Sequence, residues 1–213
     1  MKYPNFREES KLWRKGLYVI VGIDEAGRGP LAGPVVAVSA AVKNKNILCN
    51  KNIKDSKKLT PKKRLEIYNL LMKSSEIEWG IGIVSEKVID KVNILEATKL
   101  AMKKSVLSLG KKIKPKKVDF LLLDGNFKIN IDFPQKSVTK GDYKVFSIAI
   151  ASIIAKVARD KMMKKYHKQY PLYGFNRHKG YGTKLHFKML KKYRPCKIHR
   201  KTFKPVSFLI QKS

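Results

Sequence analysis

Two kinds of apolar pattern divide the chain. "LYVIVGID" (17–24) and "VDFLLLD" (118–124) are nearly continuous runs of β-branched and bulky residues, the composition of strands covered on both faces. "VVAVSAAV" (35–42) predicts a third strand. "EWGIGIVS" (78–85) alternates and predicts a strand with one exposed face. Helical signals fall between them. "TPKKRLEIYNLLMKS" (60–74) opens on Thr60 as N-cap with Pro61 at the first helical position, where a missing N–H costs nothing. "NILEATKLAMKKSVLSLG" (93–110) starts on Asn93, has Glu96 in the capping-box place and closes on Gly110. "YKVFSIAIASIIAKVARDKMMKKYHKQY" (143–170) is long and almost wholly apolar in its first half, which must therefore be buried against a sheet. A last, basic helix is predicted at about 183–193. Early strands followed by alternating strands and helices predict an α/β domain with a mixed sheet. The boundaries are an N-terminal extension at 1–16, a main domain at 17–170, and a polar, aromatic C-terminal extension at 171–213 that binds substrate.

Charge narrows the function. Lys and Arg number 48 against 16 Asp and Glu, a net charge of +32 in 213 residues. Such a surplus points to a polyanion, with nucleic acid first because each neutralised phosphate releases counterions. Lysine-rich faces are also often simply solvated. The two cysteines, Cys49 and Cys196, follow no zinc-binding spacing and suit a reducing, cytoplasmic setting. No leader and no segment long enough to span a bilayer are evident.

With so few acids, those at the ends of apolar segments stand out. Asp24 ends one central strand and Asp124 the other, each before a glycine-containing turn. Either residue alone could be a turn former. Ser152, Lys156, Arg159 and Asp160 form the polar stripe of the long helix. Asp160 either pairs with Lys156 at the surface or aims at the strand ends. Converging carboxylates repel and require protons or a cation. Oxygen ligands without His or Cys favour Mg²⁺ or Mn²⁺, and a divalent pair about 3.5–4 Å apart suits phosphodiester hydrolysis. One difficulty is geometric: Glu25 follows Asp24 directly, and in a regular strand the two point to opposite faces. Both reach one metal site only if the strand breaks between them or just after, where Gly27 offers an early turn.

Taken with "DSKKLT" (55–60), "LLLDG" (121–125), "KGD" (140–142), "SIAIASIIAKVARD" (147–160), "YPLYGFNRHKGYGT" (170–183) and "HRKTFKPV" (199–206), the segment "GIDEAGRGPLAGPVV" resembles the ribonuclease HII family from about residue 17 to 208. Thr202 stands where serine is more frequent. The resemblance implies an RNase H-like fold, a mixed five-stranded sheet flanked by helices with a small C-terminal helical extension. It implies cleavage of the RNA strand of RNA–DNA hybrids and incision 5′ to single ribonucleotides in duplex DNA. Two-metal-ion hydrolysis with Mn²⁺ or Mg²⁺ would leave 3′-OH and 5′-phosphate ends, with Asp24, Glu25, Asp124 and Asp160 as catalytic metal ligands. Gly27, Arg28 and Gly29 would recognise the junction between a ribonucleotide and the next deoxynucleotide. The glycines let peptide groups approach the 2′-OH, and Arg28 holds the adjacent phosphate. Tyr181 would pack on the following sugar, and Lys57 would lie on the phosphate side. Asp142 in "KGD" is also an acid near the long helix and competes with Asp160 for the site, but is expected to cap that helix instead. His178 is expected to be an ordinary polar surface residue.

Two other readings compete. A type HIII ribonuclease H would carry an additional N-terminal domain, whereas only about 16 residues precede the first strand, and "GRGPLAGP" favours HII. A non-catalytic, basic RNA-binding module would have no use for acids at two strand ends. The expected partners are thus RNA–DNA hybrid or ribonucleotide-containing duplex DNA, with no membrane, and the protein acting as a monomer.

Overall fold

The computed structural model describes residues 3–43, 53, 59–114 and 116–211; Lys57, Cys49 and most of "DSKKLT" lie outside them. In chain order the elements are α1 (Arg7–Trp13), β1 (Ile20–Ala26), β2 (Val35–Val42), α2 (Pro61–Lys73), β3 (Ile77–Val84), α3 (Glu86–Lys112), β4 (Phe120–Asp124), β5 (Gln135–Val138), α4 (Phe146–Gln169), α5 (Phe175–His178), α6 (Lys184–Tyr193) and α7 (Val206–Gln211). The strands form one sheet in the order β3-β2-β1-β4-β5. It is mixed: β1 pairs antiparallel with β2 and parallel with β4, and β5 adds parallel to β4.

The continuous apolar strands β1 and β4 take inner positions, as expected, and the alternating one, β3, takes an edge. β5 reads "QKSV", too short and polar to show in the sequence pattern; an edge strand covered on one side needs no apolar run. One face of the sheet packs Val21, Ile23, Leu121 and Leu123 against Ala101, Met102, Val106 and Leu109 of α3. The other packs Val38, Ala40 and Val42 against Ile67 and Leu71 of α2 and Ile150, Ile153 and Ile154 of α4. At Gly22, in mid-β1, an added Cβ would land on the Ser147 and Ile148 backbone. That absent side chain lets α4 lie directly on β1.

Thr60 caps α2, its hydroxyl accepting from Lys63 N at 3.3 Å. Asn93 also caps as expected, accepting from Leu95 N and Glu96 N. It does so from φ +67° at a kink, with a preceding helical segment from Glu86 that the pattern did not predict. The helix runs to Lys112, past Gly110. Asp142 does not cap α4: Val145 holds that position, and Asp142 sits in a preceding 3₁₀ turn, Gly141–Tyr143. Instead Glu9 of α1 reaches the start of α4, accepting from both the N–H and the hydroxyl of Ser147 at 2.9 Å, as suits a carboxylate at a helix N-terminus. The residues after Pro171 fold onto the second half of α4, burying Met163 with Tyr173, Phe175, Leu190, Ile198 and Val206.

Candidate active site

The register of the sheet brings the carboxylates together. β1 and β4 run parallel with Ile23 opposite Leu123, so Asp24 and Asp124 sit side by side where the strands end. Ligand sites in open α/β sheets form beyond such carboxyl ends. A cleft of about 400 Å³ opens there, lined by Asp24, Glu25, Arg28, Asp124, Lys156 and Tyr181 among others. A larger cavity, about 710 Å³, lies at the other end of the sheet, lined by Lys114, Lys116 and Lys117; it holds none of the expected site residues.

Asp24 and Glu25 both face this cleft, and they do so without a break between them. The β1–β2 ladder stays regular through Asp24↔Val38, Glu25↔Ala37 and Ala26↔Val36. Asp24 lies towards α4, hydrogen-bonded to Ser152. Because the cleft lies off the strand end rather than over one face, side chains from both faces reach it.

Electrostatics fit a cation site. Burial, and then the charges of Glu25 and Asp124, push the Asp24 carboxyl well above its ordinary range. Burial raises Glu25 to about 6 against the favourable charge of Arg28. Desolvated neighbouring carboxylates behave this way until a proton or cation joins them. Oε2 of Glu25 is buried and has no hydrogen-bond partner among the described residues. An all-oxygen donor set of this kind suits Mg²⁺ or Mn²⁺.

The acids are not gathered into coordination distance, and no cluster of three or more His, Cys, Asp or Glu forms a metal cage among the described residues. Each has turned to a nearby donor, as repelling carboxylates do. Asp124 Oδ1 accepts from Gly141 N at 2.6 Å, Glu25 lies 3.5 Å from the Arg28 guanidinium, and Asp160 pairs with Lys156 at 2.6 Å. Asp160 is thus in the ion pair that competed with its metal-ligand reading. It adjoins the cleft through Lys156.

The segment after the acids is held from below by two buried arginines. Gly27 has φ +104°, and a Cβ there would land on the Arg159 side chain and within 2.8 Å of Pro34 O. Arg159 donates to the carbonyls of Ala32, Pro34 and Lys179, each at 3.0 Å. Arg200 donates to the carbonyls of Gly33 at 3.0 Å, Arg28 at 2.8 Å and Gly27 at 2.5 Å. Burial lowers both guanidiniums, to about 10 and about 9, still charged at neutral pH. The sequence placed Arg159 in the α4 stripe and Arg200 in a motif but revealed neither role. Arg64, which also lines the cleft, was missed; nothing in the helical pattern of α2 marks it. Tyr181 is 43% exposed, and its ring edge is 3.9 Å from where a Cβ on Gly29 would stand.

His178, expected at the surface, is buried with His186 and His199. Two hydrogen-bond chains assign the tautomers of these three histidines. Gly180 N–H donates to His178 Nδ1, so His178 Nε2–H donates to Tyr173 O at 2.8 Å. Cys196 N–H donates to His199 Nδ1, so His199 Nε2–H donates to His186 Nε2 at 3.0 Å. His186 Nδ1–H is left to donate to Tyr181 O at 3.0 Å. The imidazoles tie the Gly180–Tyr181 backbone to the backbone at Tyr173 and at Cys196. Burial, then the neighbouring imidazole, lowers His186 to about 4 and His199 to about 3.

The unfolded chain therefore protonates these two first, near pH 6.5. Their contribution to stability is complete above that pH and is lost as pH falls towards 4. The raised Asp24 and Glu25 act in the opposite sense, so the net melting curve blends both. The histidines are better read directly. Long-range ¹H–¹⁵N spectra should show Nε2–H at His178 and His199 and Nδ1–H at His186, unchanged from pH 8 to 5. Titration of His186 or His199 near pH 6.5 would contradict the network.

No helix among the described residues is long and apolar enough to cross a membrane. Residues 21–206 match the family model described as Ribonuclease HII. A ribonuclease HII of Caldicellulosiruptor bescii is 48% identical over 198 residues, 93% of this chain and 92% of the relative. The crystal structure of ribonuclease H2 from Pyrococcus horikoshii OT3 superposes with a TM-score of 0.71 at 27% identity, covering 91% of this chain and 97% of that one. A ribonuclease HIII crystallised with Mn²⁺ shares the fold, with a TM-score of 0.68 at 17% identity over 92% of this chain and 70% of that one.

Proposed function

The chain belongs to the ribonuclease HII family, and from that membership we propose that its strand-end cleft incises duplex DNA 5′ to single embedded ribonucleotides. As a family member it is a nuclease, a ribonuclease H acting on RNA–DNA hybrids. The finer reading rests chiefly on one adjacency. The acids Asp24, Glu25 and Asp124 share a cleft with Arg28, Gly29 and Tyr181, so a group that cuts and a group that inspects the sugar can address one phosphodiester.

Asp24, Glu25 and Asp124 would hold divalent cations, with Asp160 joining by exchanging Lys156 for a cation. Mn²⁺ or Mg²⁺, when bound as a pair, would activate water and neutralise charge at phosphorus. Arg28 would leave Glu25 for the phosphate. Backbone amides of the Gly27–Gly29 segment would take the 2′-OH, the group that separates RNA from DNA. Tyr181 would pack on the next sugar and favour one lacking a 2′-OH. The lysine-rich surface supplies sequence-independent attraction, and the products would carry 3′-OH and 5′-phosphate ends.

The test is a labelled DNA duplex with one ribonucleotide, incubated with Mn²⁺ or with EDTA beside an all-DNA control. Incision is expected only with the metal and only immediately 5′ to the ribonucleotide. Cutting of the all-DNA duplex, or cutting undiminished by EDTA, refutes the reading.

A further inference from the structure

Glycines let the 27–29 segment approach a sugar, but they also leave its peptides free to turn over. A peptide flanked by glycine flips at little steric cost. A flipped unit would present a carbonyl to the cleft where a donor is needed. Something must hold these peptides one way up, and the buried side of the segment supplies it.

Arg200 is fully buried. No carboxylate pairs with it among the described residues. Its guanidinium instead gathers the carbonyls of Gly27, Arg28 and Gly33. The planar fork matches such an array as an ammonium cannot. Its backbone is fixed in turn, with Arg200 N donating to Leu31 O at 2.9 Å and His199 bridged to Ala32. The sole cis peptide among the described residues is Lys204–Pro205, so the Gly27–Arg28 and Arg28–Gly29 peptides are trans. In a trans peptide N–H and C=O point opposite ways. With both carbonyls drawn down onto Arg200, the N–H groups of Arg28 and Gly29 point away from it, and both residues line the cleft. Neither N–H donates to a described residue. Beneath two outward donors lies a buried positive charge, which strengthens them towards an oxygen acceptor.

The geometry points to Arg200 as a positioning residue for substrate recognition: it holds the two peptides of Gly27-Arg28-Gly29 with their N–H groups facing the cleft, ready for the 2′-OH or the scissile phosphate. This rests on the reading of the cleft given above. Arg200 never touches substrate, so its effect falls on the orientation of donors rather than on affinity. Overall affinity belongs to the lysine surface.

Arg200→Lys keeps a positive charge but cannot serve three carbonyls in a plane. Steady-state cleavage of an RNA–DNA hybrid and of the single-ribonucleotide duplex, with melting temperature, decides the matter. The expected result is kcat lower by about 10²-fold, the cost of misplacing one preorganised donor. KM should stay within about threefold and Tm within about 5 °C, since only one buried side chain is altered. Wild-type kcat overturns the proposal, and so does a fall in kcat that merely follows a collapse in Tm. A second arm does not depend on the lysine. Methylguanidinium at millimolar concentration should restore kcat of Arg200→Ala at least tenfold by refilling the vacated site, and no recovery counts against the proposal. If wild-type protein cuts the hybrid but ignores the single ribonucleotide, the finer substrate reading fails while the role of Arg200 is still decided on the hybrid.

Discussion

Asp24→Asn should abolish hydrolysis while making the metal-free protein more stable. Asp24 is 4% exposed, and its carboxyl is raised by burial and by Glu25 and Asp124, so its charged form is held at a cost. Asparagine keeps an oxygen for the Glu25 N–H, which now bonds Asp24 Oδ1 at 2.7 Å, and removes the charge. Removing that charge should raise Tm, each kcal/mol of relief being worth about 2–4 °C for a chain of this size. Activity moves the other way. A bound cation contributes several kcal/mol of charge stabilisation, and at about 1.4 kcal/mol per tenfold its loss costs at least about 10³-fold. Cleavage of a labelled hybrid in Mn²⁺ and melting in EDTA measure the two effects. Residual activity within tenfold of wild type would sink the ligand assignment, and a lower Tm would contradict the buried-charge account. Opposite signs are what a site built for function rather than stability should give.

Gly27→Ala should be the most damaging change in the substrate-reading segment. Its φ of +104° is strained for any L side chain, and such strain costs about 1–3 kcal/mol. The added methyl also meets Arg159 and the Pro34 carbonyl, and crowding of that kind costs about 1–3 kcal/mol more. Shifting Arg159 would disturb three carbonyl bonds that fix residues 32–34 and Lys179. A Tm lower by roughly 5–15 °C with loss of cleavage is expected. Gly29→Ala is the matched control, since the nearest atom there is Tyr181 Cε1 at 3.9 Å and surface changes usually stay within about 0.5 kcal/mol. It should leave Tm unchanged yet reduce cleavage beside a ribonucleotide. Equal Tm values for the two alanine variants would show that the loop tolerates what its packing forbids.

The chain by itself determined the elements and the chemistry. Runs of apolar residues marked β1, β2, β3 and β4, and the apolar half of α4 marked the helix that covers them, because burial on one or both faces leaves a periodic trace. A scarcity of acids made Asp24, Glu25 and Asp124 conspicuous. Short polar β5 left no such trace, and neither did the kink at Asn93.

What only the tertiary structure decided is convergence. The parallel register of β1 and β4 sets Asp24 beside Asp124, and the cleft's place beyond the strand end admits Glu25 without any break in the strand. The same holds for the buried polar groups. Arg159, Arg200 and the three histidines look like surface residues in a basic chain, because hydrophobic patterning records which residues leave water but not which polar ones are taken with them. Apart from the His186–His199 pair, their partners are backbone carbonyls and amides up to 173 positions away. Every residue carries those groups, so no sequence position advertises them until the chain has folded.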